Sequence, residues 1–223
     1  MIAHWLHRDQ GGTLILFCNG WGMDHHPLKT LDNGGHDVLV LSDYSTFESP
    51  VDLAVLDADY REINLVCWSF GVWAGPQLFG ESTRVFTRRI GMNGTLRPID
   101  DRFGIPRQFF NATLEQFSAS VRDRFYRRMC RCEGALDLFI QNQPRRSLEN
   151  QEDELQKLSK LVTMREQGGS FFDTVIVASR DYIVPTAHQL AFWQGRCPIV
   201  QVESCHYPFA GWRSWAEIVA LQN

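Results

Sequence analysis

Six short stretches of the chain are largely apolar and rich in β-branched or aromatic side chains, a pattern typical of strands buried on both faces of a parallel sheet. They cover residues 13–18, 37–42, 62–67, 85–92, 174–179 and 198–202. The fourth is the weakest because Arg88 and Arg89 interrupt it, and a further N-terminal strand carries His4 and His7. Segments of helical length separate the strands. This alternation predicts an α/β protein with a mostly parallel sheet and helices on both faces.

The alternation breaks between about residues 94 and 169. Apolar residues recur there at loosely helical spacing with charges between them, and no buried-strand pattern is present. The clearest helix pattern covers residues 151–161, with acidic residues first and lysines last, as the helix dipole favours. We therefore expect three or four helices inserted between two strands, giving a core of residues 1–94 and 170–223 and a helical cap of residues 95–169.

The composition is that of an ordinary soluble globular protein, with 223 residues, 44% hydrophobic and 22% charged. The net charge of −4 provides no overall positive field for nucleic acid, so we do not expect a nucleic-acid partner. Residues 63–80 are uncharged over the length of a membrane span, but they include Asn64, Gly71 and Pro76. A strand, a turn and a buried helix explain this stretch better, so we expect no membrane integration.

The six cysteines are far apart and lie mostly in apolar runs. Residues 1–12 carry charges and two histidines rather than the pattern of a secretory signal. We therefore expect reduced, buried thiols in a cytoplasmic protein. Cys130 and Cys132 form half of a zinc-binding pattern without a second pair at metal spacing, so we expect no metal site and no cofactor.

The segment Cys67-Trp68-Ser69-Phe70-Gly71 follows the third predicted strand and precedes a segment rich in small residues. This is the context of a nucleophile elbow, a tight strand-to-helix turn that lifts a serine hydroxyl off the edge of the sheet. The usual pattern is Gly-x-Ser-x-Gly, and Cys67 places a bulkier side chain at the first glycine. We predict Ser69 as the nucleophile, with an ordinary Ser-Gly turn as the alternative.

A second turn, Asn19-Gly20-Trp21-Gly22, follows the first strongly buried strand. In hydrolases with a nucleophile elbow, a loop at this point donates one backbone N–H to the oxyanion hole, and the residue after the nucleophile donates the other. We therefore predict the N–H groups of Trp21 and Phe70 as the two donors. A plain glycine turn is the alternative.

A serine nucleophile needs a base, and the base needs a group that orients it. His206 lies four residues past the last predicted strand and Asp181 follows the strand at residues 174–179, so both are expected at the edge of the sheet that Ser69 occupies. The order Ser69, Asp181, His206 is that of the α/β-hydrolases. The weaker alternatives are His25 and His26 for the base, and Asp173 and Glu203 for the acid.

These motifs together resemble a known family. Asn-Gly-Trp-Gly at residue 19, the Trp-Ser-x-Gly elbow, Asp-x-x-Val-Pro at residue 181 and the final His-x-Pro-Phe at residue 206 look like the pimeloyl-[acyl-carrier protein] methyl ester esterases of biotin synthesis, BioH and BioG. The short chain and the Cys-Trp-Ser-Phe-Gly elbow are more similar to BioG. The resemblance implies an α/β-hydrolase fold and a serine esterase that uses Ser69, Asp181 and His206, with Trp21 and Phe70 at the oxyanion hole.

The same resemblance implies a substrate and a partner, namely an acyl carrier protein that carries a pimeloyl methyl ester. Asn19 stands where BioH-like members carry histidine, so the hydrogen bonding of this loop is expected to differ. Two other classes remain open: a broader carboxylesterase or acyl-carrier-protein thioesterase with the same triad, and a non-catalytic module that binds the carrier protein.

Arginines dominate the first part of the predicted cap. Residues 97–131 hold eight arginines against four acidic residues, a local charge of +4. Such a patch suits an acidic protein or a phosphate, which arginine binds bidentately, and acyl carrier proteins offer both. A solvated helix face is the alternative. The predicted docking residues are Arg122, Arg124, Arg127, Arg128 and Arg131, and a nearby pair is Arg145 and Arg146.

The cap also contains phenylalanines at loosely helical spacing. Most such residues pack into a core, although some could line an acyl tunnel above Ser69. We expect one or two of them to contact the acyl chain. The candidates are Phe103, Phe109, Phe110, Phe117, Phe125 and Phe139.

Overall fold

A computed structural model describes residues 1–9, 11–80, 86–164 and 171–221 of the chain. Its strands are β1 (Ile2–His7), β2 (Thr13–Cys18), β3 (Asp37–Ser42), β4 (Glu62–Trp68), β5 (Arg88–Met92), β6 (Thr174–Ala178) and β7 (Ile199–Val202). They form one seven-stranded sheet in the order β1-β3-β2-β4-β5-β6-β7. β1 pairs antiparallel with β3, whereas every other pairing is parallel. The predicted α/β architecture is confirmed, with β5 beginning at Arg88; residue 85, where the prediction began, lies outside the described residues.

Helices connect the strands. Those in the described residues are α1 (Leu53–Asp59), α2 (Phe70–Phe79), α3 (Arg107–Glu115), α4 (Ala119–Met129), α5 (Ala135–Gln141), α6 (Leu148–Met164), α7 (Thr186–Trp193) and α8 (Trp215–Ala220). Short 3₁₀ turns occupy His26–Leu28 and Pro208–Gly211. No helix within these described ranges is both long enough and apolar enough to cross a membrane.

Both faces of the sheet are buried at β2, β3, β4 and β6, as their apolar sequences predicted, whereas the edge strands β1 and β7 are only partly covered. Along β2, Ile15 and Phe17 point into one apolar cluster and Leu14 and Leu16 into another, and all four are fully buried. The first cluster is covered by α4, α5 and α8, and the second by α1, α2 and α7. A period of two along a strand buried on both sides produces this arrangement.

Four helices, α3 to α6, follow β5 and precede β6, within the three or four expected there. A third apolar cluster joins them to the rest of the molecule, because Phe110 of α3 and Leu155 of α6 pack with Trp21, Phe70 and other residues that follow sheet strands. The helices therefore cover the end of the sheet where β2 and β4 terminate. The boundaries of residues 95–169 as a separate cap stay a prediction, and residues 165–170 lie outside the described part of the chain.

The connection from β4 to α2 is a very tight turn. Ser69 joins the two elements with φ 58° and ψ −121°, a conformation that costs a non-glycine residue of order 1–3 kcal/mol. The helix then passes so close to β2 that a Cβ on Gly71 would collide with the carbonyl oxygen of Cys18. Glycine at this position is therefore a steric requirement of the turn.

Space for the bulky Cys67 at the start of the elbow is provided by Gly75, one helical turn after Gly71. A Cβ built on Gly75 would lie 2.5 Å from the Sγ atom of Cys67, and Cys67 itself is fully buried. The missing side chain of Gly75 thus leaves the space that the sulfur fills.

This packing predicts that Gly75→Ala lowers the free energy of unfolding by about 1–3 kcal/mol, because the new methyl group overpacks the core. Pairing it with Cys67→Ala, which removes the sulfur, should show a favourable coupling of about 1–2 kcal/mol in a double-mutant cycle. Urea unfolding of the four variants measures this coupling. Strictly additive losses would show that the two side chains do not compete for the same space.

Candidate active site

Three of the predicted residues form one continuous chain of hydrogen bonds. The Oγ atom of Ser69 donates to Nε2 of His206 over 2.9 Å, and Nδ1 of His206 donates to Oδ2 of Asp181 over 2.8 Å. Ser69 is 8% exposed, His206 1% and Asp181 5%, so bulk water competes little for these bonds. The structure therefore brings the predicted nucleophile, base and acid together in the order that a triad requires.

The backbone of His206 is held by two side chains that sequence reasoning did not single out. Nε1 of Trp68 and Nδ2 of Asn93 both donate to the His206 carbonyl, over 2.8 and 3.0 Å. Asn93 also accepts the N–H of Ala178 and so ties this loop to the end of β6. Trp68 precedes the nucleophile and Asn93 follows β5, so neighbouring strand ends fix the position of the imidazole.

Asp181 receives two further kinds of donor. Its Oδ1 atom accepts the N–H groups of Ile183 and Val184 at 2.8 and 3.0 Å, and its Oδ2 atom accepts Nε2 of Gln189 at 2.8 Å. Gln189 lies on α7 and is fully buried. Four donors including His206 hold this carboxylate in one orientation.

The alternative acids and bases lie elsewhere. Asp173 forms an ion pair with Arg89, and Glu203 is exposed and faces Arg180. His26 faces the carboxylate of Asp24, while His25 stacks on His4 with ring centroids 3.5 Å apart. Burial, together with His4 and His26, lowers the pKa of His25 to about 4. None of these groups takes part in the hydrogen bonds of Ser69 described above.

The two predicted oxyanion donors belong to backbone segments next to Ser69. A Cβ built on Gly20 would come within 3.3 Å of the Cβ of Ser69, which places the Gly20–Trp21 peptide against the serine. Phe70 is the first residue of α2, where an N–H has no partner within the helix. In the part of the chain that the structure describes, neither the Trp21 N–H nor the Phe70 N–H donates to a protein acceptor, so both are available to a ligand.

Ser69 opens into a cavity of about 350 Å³. Its wall is mainly apolar and combines the sheet edge with the inserted helices, including Met23, Met129, Leu155 and Ile183. Three of the six candidate phenylalanines, Phe109, Phe110 and Phe125, line it. The others pack elsewhere: Phe103 against Phe192, Phe117 against Trp21, and Phe139 against Tyr126 and Tyr207.

The predicted arginine patch surrounds this cavity only in part. Arg124 and Arg128 line the cavity, and the guanidinium of Arg128 lies 4.6 Å from the ring of the exposed Phe109. Arg127 is exposed. Arg131 stacks on the exposed ring of Tyr182, next to Asp181. Arg122 faces a second, polar pocket that it shares with Arg145.

Arg146 does not belong to an exposed patch, contrary to the sequence interpretation. Its side chain is 7% exposed and forms ion pairs with Glu154 at 2.6 Å and Asp43 at 3.2 Å. Arg146 lies just before α6 and binds Asn150 and Glu154, which are one turn apart on that helix; this four-residue spacing was the missed signal.

One group of potential metal ligands occurs within the described residues. Donor atoms of Asp24, His25 and His26 all lie within 4.8 Å of one another. The Asp24 carboxylate already accepts the N–H groups of His26 and Arg145, at 2.9 and 2.8 Å. These bonds give the cluster a structural role in the loop that follows Gly22.

Comparison with known sequences places the chain in a family. Residues 2–218 match the family described as "Pimeloyl-ACP methyl esterase BioG". A protein of Haemophilus influenzae named "Uncharacterized protein" is 32% identical over 213 residues, which is 94% of this chain and 95% of that protein. A "Malonyl-[acyl-carrier protein] O-methyltransferase" of Bacteroides fragilis is 31% identical over 194 residues, 86% of this chain. The chain spans only 39% of the length of that methyltransferase.

Solved structures agree with this placement. The crystal structure of BioG from Haemophilus influenzae gives a TM-score of 0.88 at 30% identity and covers 97% of this chain and 99% of that one. An esterase from Exiguobacterium antarcticum gives 0.65 at 12% identity, covering 92% and 87%. A bromoperoxidase from Bacillus anthracis gives 0.62 at 12%, covering 93% and 89%; these two likenesses show the α/β-hydrolase fold alone. The chain therefore belongs to the BioG family, whose description is pimeloyl-ACP methyl esterase.

Proposed function

We propose that this protein is a serine carboxylic ester hydrolase that cleaves the methyl ester of pimeloyl-[acyl-carrier protein]. The observation that carries the proposal is the buried hydrogen-bond chain from Ser69 through His206 to Asp181. It is the arrangement that makes a hydroxyl nucleophilic at neutral pH. The family description supplies the substrate.

In the proposed first step, Ser69 Oγ attacks the ester carbonyl carbon and its proton passes to Nε2 of His206. The negative charge that develops on the carbonyl oxygen is stabilised by the N–H groups of Trp21 and Phe70. Asp181 holds the imidazole in the correct tautomer and stabilises its positive charge. His206 then protonates the departing methoxide, so methanol leaves and an acyl-enzyme remains.

In the second step, His206 takes a proton from water, and the resulting hydroxide attacks the acyl-enzyme carbonyl. The same two N–H groups stabilise the second oxyanion. Collapse of this intermediate passes the proton from His206 to the Ser69 oxygen and releases the pimeloyl carboxylic acid, which then loses its proton to water. The step needs no group beyond these residues and water.

The cavity supports a substrate with an apolar chain between two polar ends. The methyl ester would lie at Ser69, and the methylene chain would contact aromatic residues such as Phe110 and Phe125. Arg124 and Arg128 line the same cavity and would meet the phosphate-bearing arm of the carrier. Phe109, stacked with Arg128, lines the cavity and is also exposed, while the exposed Tyr182, stacked with Arg131, lies outside the cavity lining.

We expect Ser69→Ala to reduce turnover of pimeloyl-carrier methyl ester by more than about 10⁴-fold, because no other group replaces the nucleophile. Initial rates of methanol release measure the loss. The fold should persist, as shown by an unchanged circular dichroism spectrum, because the hydroxyl contributes no core packing. A fluorophosphonate should label the wild-type protein and not the variant; an unlabelled wild type would favour the non-catalytic binding module.

Reversing Arg124, Arg127 and Arg128 together to glutamate should raise the KM for the carrier-bound ester by about tenfold or more, because docking loses its charge complementarity. The kcat/KM for a short nitrophenyl ester should stay within about twofold. Arg61→Glu is the matched control, since Arg61 is exposed at the amino end of β4, the edge opposite Ser69. Equal losses on both substrates would contradict the docking role.

The reaction products distinguish the proposed esterase from the alternative thioesterase. A thioesterase would release free pimelate monomethyl ester and carrier thiol, whereas the proposed esterase releases methanol and leaves the thioester intact. Mass spectrometry of the carrier protein after incubation distinguishes a loss of 14 Da, the net mass change of methyl ester hydrolysis, from loss of the whole acyl group, as the stoichiometry of the two reactions requires.

A further inference from the structure

A fully buried carboxylate on α6 lies directly beneath the loop that carries the Trp21 N–H. The Oε2 atom of Glu154 accepts the N–H of Gly22 at 2.9 Å, and its Oε1 atom accepts the N–H of Tyr44 at 2.8 Å. Glu154 is 0% exposed. One side chain thus binds two backbone donors from two different loops, each of which follows a strand of the sheet.

The second loop in turn supports the first. The hydroxyl of Tyr44 donates to the carbonyl of Asn19 over 2.6 Å. Asn19 begins the turn and Gly22 ends it, so Glu154 acts directly on one end of the turn and through Tyr44 on the other. Trp21 lies between these two fixed points.

The neighbouring Gln151 completes the clamp. The backbone carbonyl of Gln151 accepts the Nε1–H of Trp21 at 2.9 Å, and its side-chain Nε2 donates to the carbonyl of Gly22 over 2.8 Å. Gly22 has a left-handed backbone conformation with φ +73°. Side chains of α6 bind both its N–H and its carbonyl in this conformation. The inserted helix therefore fixes the backbone on the C-terminal side of the oxyanion donor as well as its indole ring.

Charge gives Glu154 a capacity that an amide lacks. Both of its oxygens accept, so it satisfies two N–H groups and also receives Nη1 of Arg146 at 2.6 Å. Burial raises the pKa of Glu154, while Arg146 and the N–H groups of Tyr44 and Gly22 act in the opposite direction. A glutamine offers one acceptor oxygen and would leave one backbone donor buried without a partner.

We infer that Glu154 is a positioning residue for the oxyanion hole: it acts through Gly22 and Tyr44 to hold the Trp21 N–H toward the carbonyl that Ser69 attacks. This inference rests on the proposed esterase function and adds a residue that touches neither substrate nor triad. A purely structural role would make Glu154 only a link between α6 and the core. The two roles differ in what happens to transition-state stabilisation when the carboxylate is changed.

The test compares Glu154→Gln with Asp43→Asn. Asp43 is the other carboxylate on Arg146, and it tolerates asparagine because it has φ 61°. Asp43→Asn therefore weakens the same ion-pair network without touching the N–H of Gly22. Each variant is assayed for kcat and KM on a nitrophenyl ester, for melting temperature, for fluorophosphonate labelling, and for inhibition by an alkyl trifluoromethyl ketone, whose serine adduct carries an oxyanion.

We expect Glu154→Gln to lower kcat by about 10²-fold and to weaken the trifluoromethyl ketone in parallel, with KM changed less than about threefold, because a displaced donor affects the oxyanion and not the bound ester. Asp43→Asn should leave kcat and inhibitor affinity within about twofold of the wild-type values, even if its melting temperature falls as much as that of Glu154→Gln. Wild-type kcat and inhibitor affinity in folded Glu154→Gln would overturn the inference.

A failure to fold is covered by Glu154→Asp, which keeps the charge beside Arg146 but is one methylene too short to reach both N–H groups. It should fold and show the same parallel loss; a folded Glu154→Asp with wild-type values would also overturn the positioning role. The proposed function fails separately, by a different result: wild-type protein that neither hydrolyses the ester nor reacts with fluorophosphonate.

Discussion

Parallel strands all end at the same edge of a sheet, and every group assigned to the reaction depends on this geometric constraint. Ser69 follows β4, Asp181 follows β6, His206 follows β7, and the oxyanion loop at Gly20–Gly22 follows β2. Residues separated by up to 137 positions thereby lie within hydrogen-bond distance. The sheet sets the approximate positions of these residues. Hydrogen bonds from side chains near the strand ends then fix the orientations of His206 and Asp181.

The strained turn at Ser69 shows how that last adjustment is stabilised. Its backbone conformation is unfavourable for serine, so the surrounding packing must compensate. Gly71 allows α2 to approach β2, Gly75 leaves room for the sulfur of Cys67, and the N–H of Ser69 donates to the carbonyl of Met92 over 2.9 Å. The larger side chain at the first elbow position is thus accommodated by a glycine in α2, and the turn itself stays tight.

The strand pattern and the order of Ser69, Asp181 and His206 were accessible from sequence because each residue lies within four positions of the end of an apolar run. The sequence did not reveal Gln189, since nothing in its surroundings marks a helix residue as the partner of a carboxylate eight positions earlier. The environment of Arg146 differs from the expectation for a related reason. The local charge suggested an exposed patch. The ion-pair partners of Arg146 are instead Glu154 on the next helix and Asp43, which lies 103 positions earlier in the chain.

The inserted helices therefore have two physical roles that sequence patterns do not separate. Their apolar faces form the wall of the cavity above Ser69, a role that the phenylalanine spacing suggested. Their buried polar groups, on α6, bind the backbone of the loop that carries Trp21. Because the same helix supplies Leu155 to the cavity and Glu154 to the loop, any shift of α6 changes the cavity wall and the loop of Trp21 together. Under the proposed function, recognition of the acyl chain and stabilisation of the transition state are therefore coupled through α6.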